Sequence, residues 1–83
     1  MNKLVIDIAN EKIFLMIITK DDIYSITKEN TKINYEKLTL IIKDFLKSNS
    51  LKLQDIQKIY VNRGPGSFAG IRNSISIVKA INV

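Results

Sequence analysis

Apolar residues gather in short runs in the first third of the chain and at helical spacing afterwards. Lys3 to Ile8 carries Leu4, Val5, Ile6 and Ile8 and predicts a first strand, followed by a turn at Ala9-Asn10-Glu11-Lys12. Ile13 to Ile18 is continuously apolar, the pattern expected of a strand buried on both faces. After a turn at Lys20-Asp21-Asp22, Ile23 to Ile26 predicts a third strand. Three short strands with tight connections make an antiparallel meander. The polar stretch Thr27 to Asn34 reads as loop, and Asn34 as the N-cap of a helix over Tyr35 to Ser48. At the helical period Tyr35, Leu38, Ile41, Ile42, Phe45 and Leu46 fall on one stripe roughly 140° wide. Glu36, Lys37, Lys43, Asp44 and Lys47 lie opposite, with Leu40 alone among them. Ser48-Asn49-Ser50 ends the helix, and Lys58 to Asn62 predicts a fourth strand.

The residues after that strand hold the most specific signal. Arg63-Gly64-Pro65-Gly66-Ser67-Phe68-Ala69-Gly70-Ile71-Arg72 contains all three glycines of the chain, its only proline and its only two arginines. It predicts a tight turn from the fourth strand into a helix running to about Asn82, with Ser67 as N-cap. Gly64 and Gly66 permit close backbone approach, and Pro65 stiffens the loop between them. Such a turn aims backbone N–H groups and a helix N-terminus at one point, which suits an anion, and Arg63 and Arg72 add bidentate donors. Gly-Pro-Gly-Ser serves equally well as a turn with no ligand. In the closing helix Phe68, Ile71, Ile75 and Val78 form one face. Gly70, Ser74, Ile77 and Ile81 form a second, offset by roughly 110°. Small residues at Gly70 and Ser74 allow another helix to approach closely. That helix is either the chain's own first helix or a partner's, and both hold in a four-helix bundle.

The predicted order, β-β-β-α-β-α, is an α/β arrangement and the first part of a ribonuclease H-like layout. The motif string also resembles one family. Arg63-Gly64-Pro65-Gly66-Ser67-Phe68-Ala69-Gly70-Ile71-Arg72 looks like the signature of the TsaB family. TsaB is a subunit of the bacterial machinery that makes threonylcarbamoyladenosine on tRNA. Leu4-Val5-Ile6-Asp7-Ile8-Ala9 resembles that family's opening strand, and Leu53-Gln54-Asp55-Ile56 its lead-in to the motif. The resemblance implies a truncated ribonuclease H-like, actin-like (ASKHA) half-domain, with residues 1–83 as a single partial N-terminal lobe. It implies a non-catalytic role, pairing through helices with the catalytic subunit TsaD. The ATPase TsaE stands in the larger complex, and tRNA is engaged only indirectly. A homodimer is the arrangement open to the chain where TsaD is absent. From the residues, the expected partner contact is Leu38, Ile42 and Phe45 of the first helix with Gly70, Ser74, Ile77 and Ile81 of the second.

Composition narrows the chemistry. There is no cysteine, so no disulfide or thiolate, and no histidine, so no imidazole ligand or base. Asp7 lies in an apolar first strand, where ribonuclease H-like nucleases hold a metal. A two-metal site needs several convergent carboxylates, and the other acids lie mostly in turns or on the polar helix face. A strand-end aspartate held by local hydrogen bonds is the better reading. The motif is not a P-loop, and Ser67 has no histidine to activate it, which argues against ATPase and peptidase activity. What remains is a vestigial phosphate corner of Asp7, Gly64, Gly66 and Ser67, with no metal and no cofactor expected. Ile8, where family members carry threonine, weakens even that. The net charge of +5 comes mostly from lysines with no two adjacent, the pattern of a solvated face. A small basic RNA-binding module and a non-functional fragment stay open as alternatives. Asp7 interrupts the apolar run at the start of the chain and no run is long enough to span a bilayer, so the expected setting is the cytoplasm, with no membrane association.

Overall fold

The computed structural model describes residues 1–63 and the backbone of residues 68–71. Five strands form one mixed sheet: β1 (Lys3–Asp7), β2 (Lys12–Ile18), β3 (Ile23–Glu29), β4 (Lys58–Asn62) and β5 (Phe68–Ile71), in the order β3-β2-β1-β4-β5. β1, β2 and β3 are the antiparallel meander that the short apolar runs predict. β4 returns parallel to β1, with Leu4 opposite Ile59 and Ile6 opposite Val61. The crossover between β3 and β4 carries the helices α1 (Lys32–Glu36) and α2 (Leu38–Ser48). This is the α/β architecture of a ribonuclease H-like half-domain.

One face of the sheet is sealed. Leu4 and Ile6 of β1, Ile13, Leu15 and Ile17 of β2, and Ile59 and Val61 of β4 point to it. There they meet Leu38, Ile42, Phe45 and Leu46 of α2. All eleven are no more than 5% exposed. The period-two alternation of the strands and the apolar stripe of the helix therefore meet as two complementary surfaces. Burial of a leucine or isoleucine side chain contributes about 1.5–3 kcal/mol, so this layer is the principal source of stability.

The boundaries differ from the sequence expectation in four places. β2 is not buried on both faces: Ile13, Leu15 and Ile17 are buried while Phe14, Met16 and Ile18 are half-buried. β3 continues to Glu29, because its polar residues Thr27 and Glu29 occupy outward and edge positions where they cost nothing. The helix is split at Lys37, and its cap is Thr31, whose Oγ1 accepts from the Asn34 N–H at 3.1 Å. Asn34 is the third residue of α1, and its side chain instead donates to the Glu29 carbonyl at 2.9 Å. Finally, Phe68–Ile71 is a strand, not the first turn of a helix. It pairs antiparallel with β4, Asn62 opposite Phe68 and Ile59 opposite Ile71. Gly70 disfavours a helix, and the open edge of β4 offers backbone partners that a local helix start does not. The helix predicted beyond this strand, and Ser67 as its cap, lie outside the described residues.

α2 ends in a Schellman motif. The Leu51 N–H donates to the Leu46 carbonyl at 2.9 Å and the Ser50 N–H to the Lys47 carbonyl at 3.0 Å. Ser50 holds the left-handed position with φ of 59°. A single 3-10 turn (Leu53–Asp55) then drops the buried Ile56 into the core before β4 begins. Asn2 fastens β1 to the start of β4, since its N–H donates to Gln57 Oε1 at 2.6 Å, its Nδ2 to the Asp55 carbonyl at 3.0 Å, and its carbonyl accepts from the Gln57 N–H. That clamp fixes the parallel register on which the candidate site depends.

Candidate functional site

In an open α/β sheet, ligands bind beyond the carboxyl ends of the parallel strands. Here those ends are Asp7 of β1 and Asn62 of β4, which stand opposite each other in the register. The Ile8 N–H donates to the Asn62 carbonyl at 2.9 Å and extends the pairing by one step. In sequence, β4 is followed at once by Arg63 and the glycine-rich stretch. Register thus places Asp7 opposite the strand end that precedes the motif in sequence. Gly64, Pro65, Gly66, Ser67 and Arg72 lie outside the described residues.

Asp7 itself is engaged locally. Its Oδ1 accepts from the Ala9 N–H at 3.1 Å, the turn-forming bond expected of an aspartate at a strand end. Among the described residues no three of the metal-ligating types converge. The adjoining turn Ala9–Glu11 is held by Asn30, which sequence reasoning passed over as loop. Asn30 Nδ2 donates to the Ile8 and Asn10 carbonyls at 3.1 and 2.8 Å, and its backbone N–H to the Glu11 carbonyl at 2.9 Å. One side chain therefore ties the end of β3 to the β1–β2 hairpin. Its only prior signal is an asparagine just past a strand, which is common. Beside it, Lys12 of β2 and Glu29 of β3 form an exposed ion pair across the β2–β3 register.

The sites predicted for a partner divide. Leu38, Ile42 and Phe45 are in the core, at 0%, 1% and 5% exposure, because the helix stripe they define is the one that seals the sheet. In this arrangement they are committed to the chain's own fold. Gly70 lies on β5, opposite Tyr60. Ser74, Ile77 and Ile81 fall outside the described residues. The apolar side chains that the helices leave in solvent are Ile33, Tyr35 and Leu40, at 63%, 40% and 56% exposure. Tyr35, placed by periodicity on the buried stripe, escapes it because α1 is offset from α2 at Lys37.

Two further surfaces stand out. Between β3 and α2 a groove of about 640 Å³ is lined by Tyr24, Ile26, Lys28, Ile41, Asp44 and Phe45. The nearby Asp22 carboxylate raises the Tyr24 phenol above its ordinary value, by repulsion of the phenolate first and then by slight desolvation. On the opposite face of the sheet the Lys58 ammonium lies 5.0 Å above the Tyr60 ring. Its hydrogen bond holds the Tyr60 phenol below the usual range.

Comparison with known proteins agrees with the motif. Residues 28–83 match the family model described as TsaD: tRNA N6-adenosine threonylcarbamoyltransferase. The chain is 30% identical over 80 residues to the tRNA threonylcarbamoyladenosine biosynthesis protein TsaB of Buchnera aphidicola subsp. Schizaphis graminum (strain Sg), covering 96% of this chain and 38% of that protein. It is 30% identical over 69 residues to the TsaB protein of Buchnera aphidicola subsp. Baizongia pistaciae (strain Bp), covering 83% of this chain and 31% of that one. YeaZ from Pseudomonas aeruginosa superposes on 96% of the chain with a TM-score of 0.70 at 22% identity, over 38% of its own length. The chain thus spans well under half the length of the relatives it matches. No described helix is long and apolar enough to cross a membrane.

Proposed function

The chain belongs to the family whose model is described as TsaD: tRNA N6-adenosine threonylcarbamoyltransferase, and we propose that it is the N-terminal part of a TsaB-type member that acts in the cytoplasm as a non-catalytic subunit of the tRNA threonylcarbamoyladenosine system. The observation that carries this reading is the 30% identity to a TsaB protein over 96% of the chain. In the proposed role the chain pairs with the catalytic subunit TsaD, the ATPase TsaE joins the larger assembly, and tRNA is met through the partner. The local bond of Asp7 supports a site without chemistry of its own. A chain without histidine also has no imidazole for proton transfer or metal ligation.

The helical surface open to TsaD is Ile33, Tyr35 and Leu40, the apolar residues that α1 and α2 leave exposed. Apolar anchors of this kind dominate the energetics of protein interfaces. The purified chain mixed with TsaD of the same organism is expected to give a stable complex by size exclusion with light scattering. Replacing Leu40 by glutamate is expected to weaken it roughly tenfold or more, with the far-ultraviolet circular dichroism unchanged. A folded chain that ignores TsaD overturns the proposal. Direct tRNA binding that weakens steeply with salt replaces it with the RNA-binding reading.

A further inference from the structure

β3 is an edge strand of seven residues, Ile23-Tyr24-Ser25-Ile26-Thr27-Lys28-Glu29, with no proline, glycine or bulge to blunt it. Which of its backbone groups face outward follows from the hydrogen bonds at its two ends. The Thr19 N–H donates to the Asp22 carbonyl and the Asn30 N–H to the Glu11 carbonyl. In the β2–β3 register, even-numbered β3 residues therefore bond to β2. Ile23, Ser25, Thr27 and Glu29 turn their N–H and C=O groups away from the sheet. The Glu29 carbonyl is satisfied by the Asn34 side chain, so Ile23, Ser25 and Thr27 present the edge that remains.

We propose that two copies of this chain associate by antiparallel pairing of β3 with β3, about a two-fold axis at Ser25, to form one continuous sheet. The sequence of the strand is self-complementary in that register. Asp22 of one copy stands opposite Lys28 of the other, and the same pair recurs across the axis. Tyr24 stands opposite Ile26, an aromatic against a β-branched residue, again twice. Opposite charges and aromatic–aliphatic pairs are the cross-strand neighbours that stabilise antiparallel sheets. Shifting the axis by one residue to Ile26 requires the Glu29 carbonyl that Asn34 already occupies, and it separates Asp22 from Lys28. The even-numbered side chains of both copies point to the face that carries α2. There the groove lined by Ile41 and Phe45 receives the partner's Tyr24 and Ile26. Isologous contacts of this kind close on themselves and do not propagate.

This surface is distinct from the exposed helical residues assigned to TsaD, so the two associations are independent. Light scattering of the wild-type chain alone is expected to rise with concentration toward twice the 9.5 kDa chain mass. Ser25→Pro removes both outward N–H donors at the axis and leaves the β2 ladder intact, since that N–H does not face β2. It is expected to give a folded monomer. Lys28→Glu sets two like-charge pairs across the axis and is expected to weaken dimerisation roughly tenfold. The charge swap Asp22→Lys with Lys28→Asp is expected to restore it. A wild-type chain that stays monomeric at every concentration overturns the proposal. So does a dimer that neither Lys28→Glu nor Ser25→Pro weakens.

Discussion

The two faces of the sheet have similar apolar content and very different fates. Toward α2, Leu4, Ile6, Leu15 and Ile17 are fully buried at 0% exposure. On the other face Val5 pairs with Met16 and Tyr60, with Phe14 and Ile18 beside them, and each of these remains half-buried. Among the described residues, α2 supplies the helical part of the core and lies on the first face. Apolar patterning therefore reports which surfaces have a hydrophobic driving force, and only the packing partner decides which of them is sealed. The continuous run Ile13 to Ile18 shows the distinction, since every residue is apolar but only alternate ones reach the core.

Large-to-small substitution separates the faces most sharply. Leu15→Ala removes a side chain from the closed layer and is expected to cost about 2–5 kcal/mol in urea unfolding, enough to unfold a domain of this size. An intact, cooperative transition close to that of the wild type would mean that α2 does not seal this face.

The strands were legible because their hydrophobic alternation is local and strong, and β1, β4 and the start of β3 fall where the runs predict them. What was not legible depends on partners distant in sequence. Leu38, Ile42 and Phe45 form an apolar stripe whose periodicity is the same whether it meets the chain's own sheet or another protein. Phe68 to Ile71 suits a helix by continuity with the residues that follow, yet the edge of β4 takes it as a strand. Asn34 has the composition of a cap, and Thr31 is better placed to serve as one. The corner of Asp7 and Asn62 follows from parallel register, which the order of elements implies, whereas the clamp by Asn30 depends on three-dimensional proximity that no pattern encodes.

Asn30 tests the rim where the two faces meet. Asn30→Ala deletes the two side-chain bonds to the Ile8 and Asn10 carbonyls but keeps the backbone bond to Glu11. A loss of about 1–2 kcal/mol is expected, together with faster hydrogen exchange at residues 9–12. A global loss without local change in exchange would show that the clamp acts on the whole sheet. The open face answers to the neighbour of Leu15. Met16→Ala removes a side chain of comparable size, one residue along the same strand, and is expected to cost no more than about 1 kcal/mol, because no cavity forms where solvent already reaches. Equal costs at positions 15 and 16, measured by urea unfolding, would erase the contrast between the faces.

The smallest effect has the opposite sign and acts through the closed face alone. Ser50 terminates the helix that seals it, at φ of 59°, a conformation in which a Cβ crowds the following carbonyl. Ser50→Gly relieves a cost of about 1–2 kcal/mol in the folded chain. Against this, glycine loses more backbone freedom on folding, which returns about 0.5–1 kcal/mol. The balance predicts a gain of about 0.5 kcal/mol, read as a rise in Tm of about 2–4 °C for a domain of this length. Because the Schellman bonds from Ser50 and Leu51 hold the end of α2 against the core, the gain should appear in the protection of α2 and leave the amides around Met16 unchanged. A rise shared equally by both faces would mean that the sheet and its helix unfold as one unit, with the asymmetry confined to packing and absent from cooperativity.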